Sequence, residues 1–275
     1  MKKRKGISLI GVNLLAWVLS LLLLAPLVLI LMNSLKTSQA ASDMSLALPE
    51  GGLHFENFST VIEEGKLSAT FLNSLLYSAC SVLLCALLSA MAAYVFSRSR
   101  SRLNRFLYMF IVLGITMPIN FVALMKVMQF TLLQNTRLGI ILLYTAVQLP
   151  FNVFLIYSFV GKIPRDIDEA AVIDGCTPIR LFTAVVLPLL KPVLVTVMVL
   201  TFLNTWNEFV MPLYFLGSSA KWPMTLAVYN FFGMYATDWN LVCADIVLTC
   251  LPVIAVYLLG QRFIVAGMTA GAVKG

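Results

Sequence analysis

Histidine is nearly missing from this 275-residue chain, with His54 the only one. Cysteine is sparse as well: Cys80, Cys85, Cys176, Cys243 and Cys250 are all there is. A metal centre of the usual His/Cys kind lacks ligands, and no cysteine sits where an extracellular disulfide framework would need it. No G-x-x-x-x-G-K-[ST] run occurs, so the chain cannot hold ATP through a P-loop. No Ser/His/Asp or Cys/His set is available for covalent catalysis. Catalytic, cofactor-binding and metal-ligating residues are therefore all assigned as none. Charge is scarce too, at 11 % of residues, and it forms no folded basic surface, which excludes nucleic acid as a partner. No tandem repeat is visible.

What is abundant is apolar. Hydrophobic residues make up 60 % of the chain and the mean hydropathy is +0.94, values outside the range of soluble domains. A bilayer crossing takes about 20 apolar residues. Runs of that order lie near Leu9–Met32, Leu72–Phe96, Phe106–Met128, Gly139–Val160, Pro188–Leu213 and Leu241–Phe263. The expectation is an all-α, polytopic membrane protein with six spans. The third run is the least clean, because Pro118, Asn120 and Lys126 interrupt it, and Pro188 and Pro192 perturb the start of the fifth.

Six spans place both termini on one side. That side receives fourteen basic residues: Lys2, Lys3, Arg4, Lys5, Arg98, Arg100, Arg102, Arg105, Lys162, Arg165, Arg180, Lys191, Arg262 and Lys274. The other side keeps five, namely Lys36, Lys66, Lys126, Arg137 and Lys221. Cytoplasmic loops carry the excess of Lys and Arg, so both termini are expected in the cytoplasm and the net charge of +7 reads as topology. The opening KKRK followed by an apolar run reads as a retained first span (about 9–32), since that run is too long for a signal peptide. The outer loop from Asn33 to Thr70 carries Glu50, Glu56, Glu63 and Glu64 and is too short for a separate domain. Residues 1–275 are expected to form one membrane domain, its core at about 70–265.

Between the fourth and fifth runs lies a polar, turn-containing loop (about 161–187). Pro164 suits the first turn of a helix, and Asp166, Asp168 and Glu169 complement the helix dipole there. Ile167, Ala170, Ala171 and Asp174 fall at i, i+3, i+4 and i+7, giving a face that is small and mostly apolar. Gly175 suits the left-handed residue that ends a helix, and Thr177–Pro178 caps and starts the next. The result is a short two-helix knob in a loop that must be presented to something.

This segment, EAAVIDGCTPIRLFTAVVLPLLKP from Glu169 to Pro192, resembles the EAA loop of permease subunits of ATP-binding-cassette importers. Glu169, Ala170, Ala171, Asp174, Gly175, Leu187, Pro188 and Pro192 fall where that motif wants them. Cys176 stands where the family more usually carries another small residue. The resemblance extends to Asn33-Ser34-Leu35-Lys36, Phe71-Leu72-Asn73-Ser74-Leu75, Trp206-Asn207-Glu208-Phe209 and Gln261-Arg262-Phe263, and to the end of the chain from Gly267 to Gly275. Over nearly the whole length the chain is similar to carbohydrate-importer permeases of the maltose-uptake type, which are binding-protein-dependent inner-membrane components.

The resemblance implies a heterodimer with a second permease, an ATP-binding-cassette ATPase dimer that carries ATP and Mg, and an extracytoplasmic sugar-binding protein. It places the chain in the cell (inner) membrane of a bacterium or archaeon. Glu169, Ala170, Ala171, Asp174, Gly175 and Pro188 are then the residues that couple to the ATPase. Glu169 would meet a basic group on it, and Ala170 and Ala171 would lie against its surface. The small-residue tail Ala266–Gly275 would either enter a partner's crevice or fray.

Asn204, Trp206, Asn207 and Glu208 form a polar-aromatic cluster in the fifth run, of the kind that binds sugars. They are the expected substrate pathway, with interhelical hydrogen bonding as the other reading. Asp245 is the other acid within a span and, with Glu208, the only pair on which a membrane-embedded enzyme could be built. An ion-coupled secondary transporter acting as a homo-oligomer would leave the knob unexplained and would more often show two related halves. A polyol or glycerol phosphate remains open as cargo beside a sugar.

Overall fold

A computed structural model of the protein describes residues 2–272 apart from 50, 100 and 234–236, with side chains described within 11–263. In chain order its main helices are α1 (Lys2–Asn33), α2 (Leu67–Arg98), α3 (Arg102–Leu113), α4 (Phe121–Phe130), α5 (Arg137–Val160), α6 (Asp166–Ile173), α7 (Pro178–Leu189), α8 (Lys191–Trp206), α9 (Val210–Phe215) and α10 (Trp239–Ala272). Helix is the expected outcome, because lipid offers no partners to backbone N–H and C=O groups. Among the described residues, α1, α2, α5 and α10 are each long and apolar enough to cross a bilayer. They answer the first, second, fourth and sixth expected spans.

The third expected span is broken in two. Helix α3 stops at Gly114, and Asn120 starts α4 by accepting a hydrogen bond from the Ala123 N–H at 3.0 Å. Pro118 lies between them and holds the chain out of helix. The fifth expected span is bent as well. Helices α7 and α8 meet at Leu190 with a 77° change of direction, where Pro192 in the first turn of α8 removes an N–H from the ladder. Pro188 therefore belongs to the loop arm, and the span proper begins at Lys191. It ends at Trp206, short of the expected Leu213, and only a six-residue helix, α9, follows. Four long helices, one bent pair and one broken segment are consistent with six spans.

The described residues fall into two compact units, one of Met1–Ser68 with Ala227–Leu251 and the other of Ala69–Leu226 with Pro252–Gly275. In the first, the Asn33-Ser34-Leu35-Lys36 motif folds inward. The Lys36 ammonium, 2 % exposed, donates to Asn33 Oδ1 at 2.9 Å, Ser45 Oγ at 3.0 Å and the Ser45 carbonyl at 2.7 Å. Asn57 Nδ2 donates to the Ser34 and Lys36 carbonyls, and Asn240 Nδ2 donates to Asn57 Oδ1, each at 2.9 Å. The polar residues of the motif thus satisfy one another and fix the chain as it leaves α1.

In the second unit the Asn73–Ser74 pair does similar work. Asn73 Nδ2 donates to the carbonyls of Ala220 and Trp222, Tyr77 Oη donates to that of Lys221, and Ser74 Oγ accepts from the Met224 N–H. These bonds tie the loop after α9 onto α2. Asn73→Ala should lower the thermal stability of the purified chain by about 1–3 kcal/mol, because two part-buried carbonyls lose their donor. An unchanged Tm would assign the loop's anchorage elsewhere. Helices α8 and α10 approach closely in this unit: a Cβ at Gly260 would stand 2.7 Å from Val199 Cγ1. The backbone of α10 continues to Ala272, while the side chains of the tail Ala266–Gly275 and its last three residues lie outside the described residues.

Candidate functional site

The loop between α5 and α8 is rooted in an apolar core and polar at its sides. Ala90 and Ala93 of α2, Ile156 and Val160 of α5, Ala171 of α6, Leu181 and Val186 of α7 and Val193 and Val197 of α8 pack into one buried cluster. Small residues on α2 let the knob sit close. Helix α6 begins at Asp166, so Pro164 lies just ahead of the Arg165 cap rather than inside the first turn. Asp166, Asp168 and Glu169 occupy that turn as the dipole argument requires. The helix closes on Gly175 at φ +77°, with the Gly175 N–H on the Val172 carbonyl and the Cys176 N–H on the Ala171 carbonyl, both 3.0 Å. Thr177 then caps α7, with Pro178 in its first turn. A wider π-helical stretch follows over Leu181–Val186, a deviation often found at functional sites.

A cationic latch holds the knob. Arg98, at the end of α2, pairs through Nε with Asp168 Oδ2 at 2.5 Å and donates through Nη2 to the Ile163 carbonyl at 3.1 Å. Arg165 Nη2 returns to the Ser97 carbonyl at 3.3 Å. Both side chains of the Arg98–Asp168 pair are only 15 % exposed. Sequence reasoning counted Arg98 and Arg165 as topology and missed the latch.

Of the expected coupling residues, Glu169, Ala170, Asp174, Gly175 and Pro188 are exposed. Glu169 has no ion-pair partner among the described residues. Ala171 departs from expectation, because it turns inward at 7 % exposure and packs in the core, away from any outside surface. The apolar groups presented outward are instead Val172, Ile173 and Ile179, at 60, 85 and 78 % exposure. The signal was present: Val172 and Ile173 fall off the face shared by Ile167 and Ala171. An open groove of about 480 Å³ runs beside this tip, lined by Arg98, Asp168, Glu169 and Val172 among others.

The expected substrate cluster does not stay together. Trp206 is 1 % exposed, stacked on Phe202 at 5.3 Å and edge-on to Phe71 at 5.8 Å, so its faces are not free for a sugar ring. Glu208 lies past the end of α8, where its Oε1 accepts the N–H groups of Val210 and Met211 at 2.8 and 3.0 Å. It starts α9 as a cap. The helix breaks at Asn207. Asn207, exposed, donates to the Leu203 carbonyl at 2.8 Å.

Asn204 keeps an open face. Its Nδ2 donates to Gln148 Oε1 of α5 at 3.2 Å, and the pair is reachable from outside. Uncovered amides on two membrane helices need a polar surrounding, because lipid supplies none. Gln148 was not singled out in the sequence, where it is one polar residue in a long apolar run. A deeper polar cluster, Asn152 on Thr201 Oγ1 at 2.8 Å, joins the same two helices.

Comparison with known proteins gives a consistent picture. The family described as binding-protein-dependent transport system inner membrane component matches residues 83–270. The chain is 34 % identical over 258 residues to the probable starch degradation products transport system permease protein AmyC of Thermoanaerobacterium thermosulfurigenes, covering 94 % of each. It is 34 % identical over 261 residues to the diacetylchitobiose uptake system permease protein NgcG of Streptomyces coelicolor, covering 93 % of this chain and 85 % of that one. Its fold matches a chain of a bacterial ABC transporter involved in the import of the acidic polysaccharide alginate. That match has a TM-score of 0.82 at 22 % identity and covers 95 % of this chain and 98 % of that one.

Proposed function

The chain belongs to the family of binding-protein-dependent transport system inner membrane components, and from that premise we propose that it is one permease half of an ATP-driven importer for a carbohydrate. Its partners are a second permease, an ATP-binding-cassette ATPase dimer that holds ATP and Mg, and an extracytoplasmic binding protein that delivers the sugar. The termini and the knob face the cytoplasm of a bacterial or archaeal cell.

The observation that carries the reading is the knob's apolar tip. Val172, Ile173 and Ile179 stand uncovered in a polar loop rooted in the core, and large apolar groups exposed in such a loop mark a docking surface. The ATPase supplies the cover. Glu169 meets a basic group on its surface, Ala170 and Asp174 border the contact, and Gly175 and Pro188 shape the arm. The ATPase stroke then reaches α2 through Arg98, α5 through the core packing of Ala171 with Ile156 and Val160, and α8 through the bend at Leu190.

Carbohydrate cargo is supported by the names of relatives that match more than nine-tenths of this chain. Within this subunit, the Asn204–Gln148 pair is the path-lining contact, with Asn207 beside the helix break. Trp206 and Glu208 shape that break without touching sugar. Substituting leucine at both Gln148 and Asn204 should lower ATP-driven sugar uptake in proteoliposomes about three- to tenfold per hydrogen bond lost. Basal ATP hydrolysis should stay as it is. Uptake at the original rate would leave the pair as interhelical glue only.

A further inference from the structure

We propose that a second, separate site lies where α2 meets α3, and that it binds the phosphate of an anionic phospholipid. A cavity of about 480 Å³ opens there, lined by Arg105, Arg165, Ser97, Ser99 and Ser101. Its remaining walls are aromatic: Tyr108 and Tyr157 stack at 4.0 Å and Phe96 packs edge-on to Tyr108 at 6.3 Å. Among the described residues no acidic side chain lines it. Arg105 has no carboxylate partner among the described residues, whereas Arg98 nearby is consumed by Asp168. The first turn of α3, twelve residues long and capped by Ser101, ends at this cavity and turns its positive dipole end toward it.

Two arginines, three serines and a helix N-terminus, with no acid, form a donor set for a phosphate and for little else. The source of the phosphate follows from the surroundings. Met109 and Leu113 follow Arg105 at i+4 and i+8 along α3 and are 59 and 58 % exposed. An apolar strip therefore continues along the helix from the cationic pocket, where acyl chains would lie while the headgroup sits among the hydroxyls. The pocket is also on the side of the chain that the basic residues assign to the cytoplasm, where basic pockets between membrane helices hold anionic headgroups. Arg165 lines this cavity and also donates to Ser97 at the root of the knob. A bound lipid would thus brace the knob against the membrane surface, a role independent of the cargo and of the ATPase.

The test uses the full chain with whatever subunits accompany it, placed in nanodiscs of mixed phosphatidylglycerol and phosphatidylcholine, then released and weighed by native mass spectrometry. Retention of phosphatidylglycerol over phosphatidylcholine is expected, weakened about fivefold in Arg105→Gln and largely restored in Arg105→Lys. Ser99→Glu brings a carboxylate to the pocket, leaves both arginines in place, and should weaken retention at least as much, so the test stands even if one variant folds poorly. Displacement of the lipid by excess inorganic phosphate would keep the phosphate site but assign it to a soluble ion. Equal retention of the two lipids, or phosphatidylglycerol held undiminished in both Arg105→Gln and Ser99→Glu, would overturn the proposal.

Discussion

Arg98→Ala should leave ATP hydrolysis running while sugar transport falls by about ten- to a hundredfold. Arg98 ties α2 to the knob through Asp168 and the Ile163 carbonyl. Its removal leaves a carboxylate that is 15 % exposed without its cation, which costs about 1.5–3 kcal/mol. Each 1.4 kcal/mol is a factor of ten in the population of the latched arrangement. The ATPase would still find the tip residues Val172, Ile173 and Ile179 and would still close, but its stroke would no longer reach α2. Exchanging the charges, Arg98→Asp with Asp168→Arg, should recover part of the transport. Lost transport together with lost hydrolysis would mean that the latch serves folding, and an unchanged ratio of sugar moved to ATP hydrolysed would mean that α2 receives its force by another route.

Gly175→Ile is the second large effect. The backbone there is left-handed, at φ +77°, and a Cβ would meet nothing within 4 Å. No neighbour crowds the Cβ, and the cost at the backbone is conformational: about 1–2 kcal/mol for an ordinary L residue, more for a β-branched one. Relief comes by unwinding the turn that carries Ile173 and Ile179 apart from each other. Uptake should drop about tenfold or more with hydrolysis largely retained. Gly175→Asn, which tolerates the left-handed region, should keep most of the uptake. Equal impairment by isoleucine and asparagine would show that the residue's size, and not its backbone, is what matters.

The apolar spans and the knob were legible because each rests on local chemistry. Gly175 and Thr177–Pro178 did what their residue types prescribe, and Pro118 and Asn120 broke the third span where they stand. What could not be read was which residues meet. Arg98 and Asp168 are seventy residues apart in the chain, and a positive-inside count absorbs the first while a dipole argument absorbs the second. Ala171 looked like a contact residue because small residues permit close approach, but the approach it permits is that of the protein's own core. Trp206 and Glu208 looked like sugar ligands because aromatic and acidic groups bind sugars. Packing on Phe202 and Phe71, and two bare N–H groups at the start of α9, claimed them first. Periodicity says which face a residue shares, and it does not say what stands opposite.

On the proposed function, this chain moves sugar with force delivered to its knob by a separate ATPase. The most direct test is purification from its native membrane in mild detergent, with every companion identified by mass. The expected product is a particle holding this chain, a second permease and an ATPase, with the ATPase lost when Ile173 and Ile179 are both changed to aspartate. A stable homo-oligomer of this chain alone, at native expression and with no ATPase recovered, would contradict it.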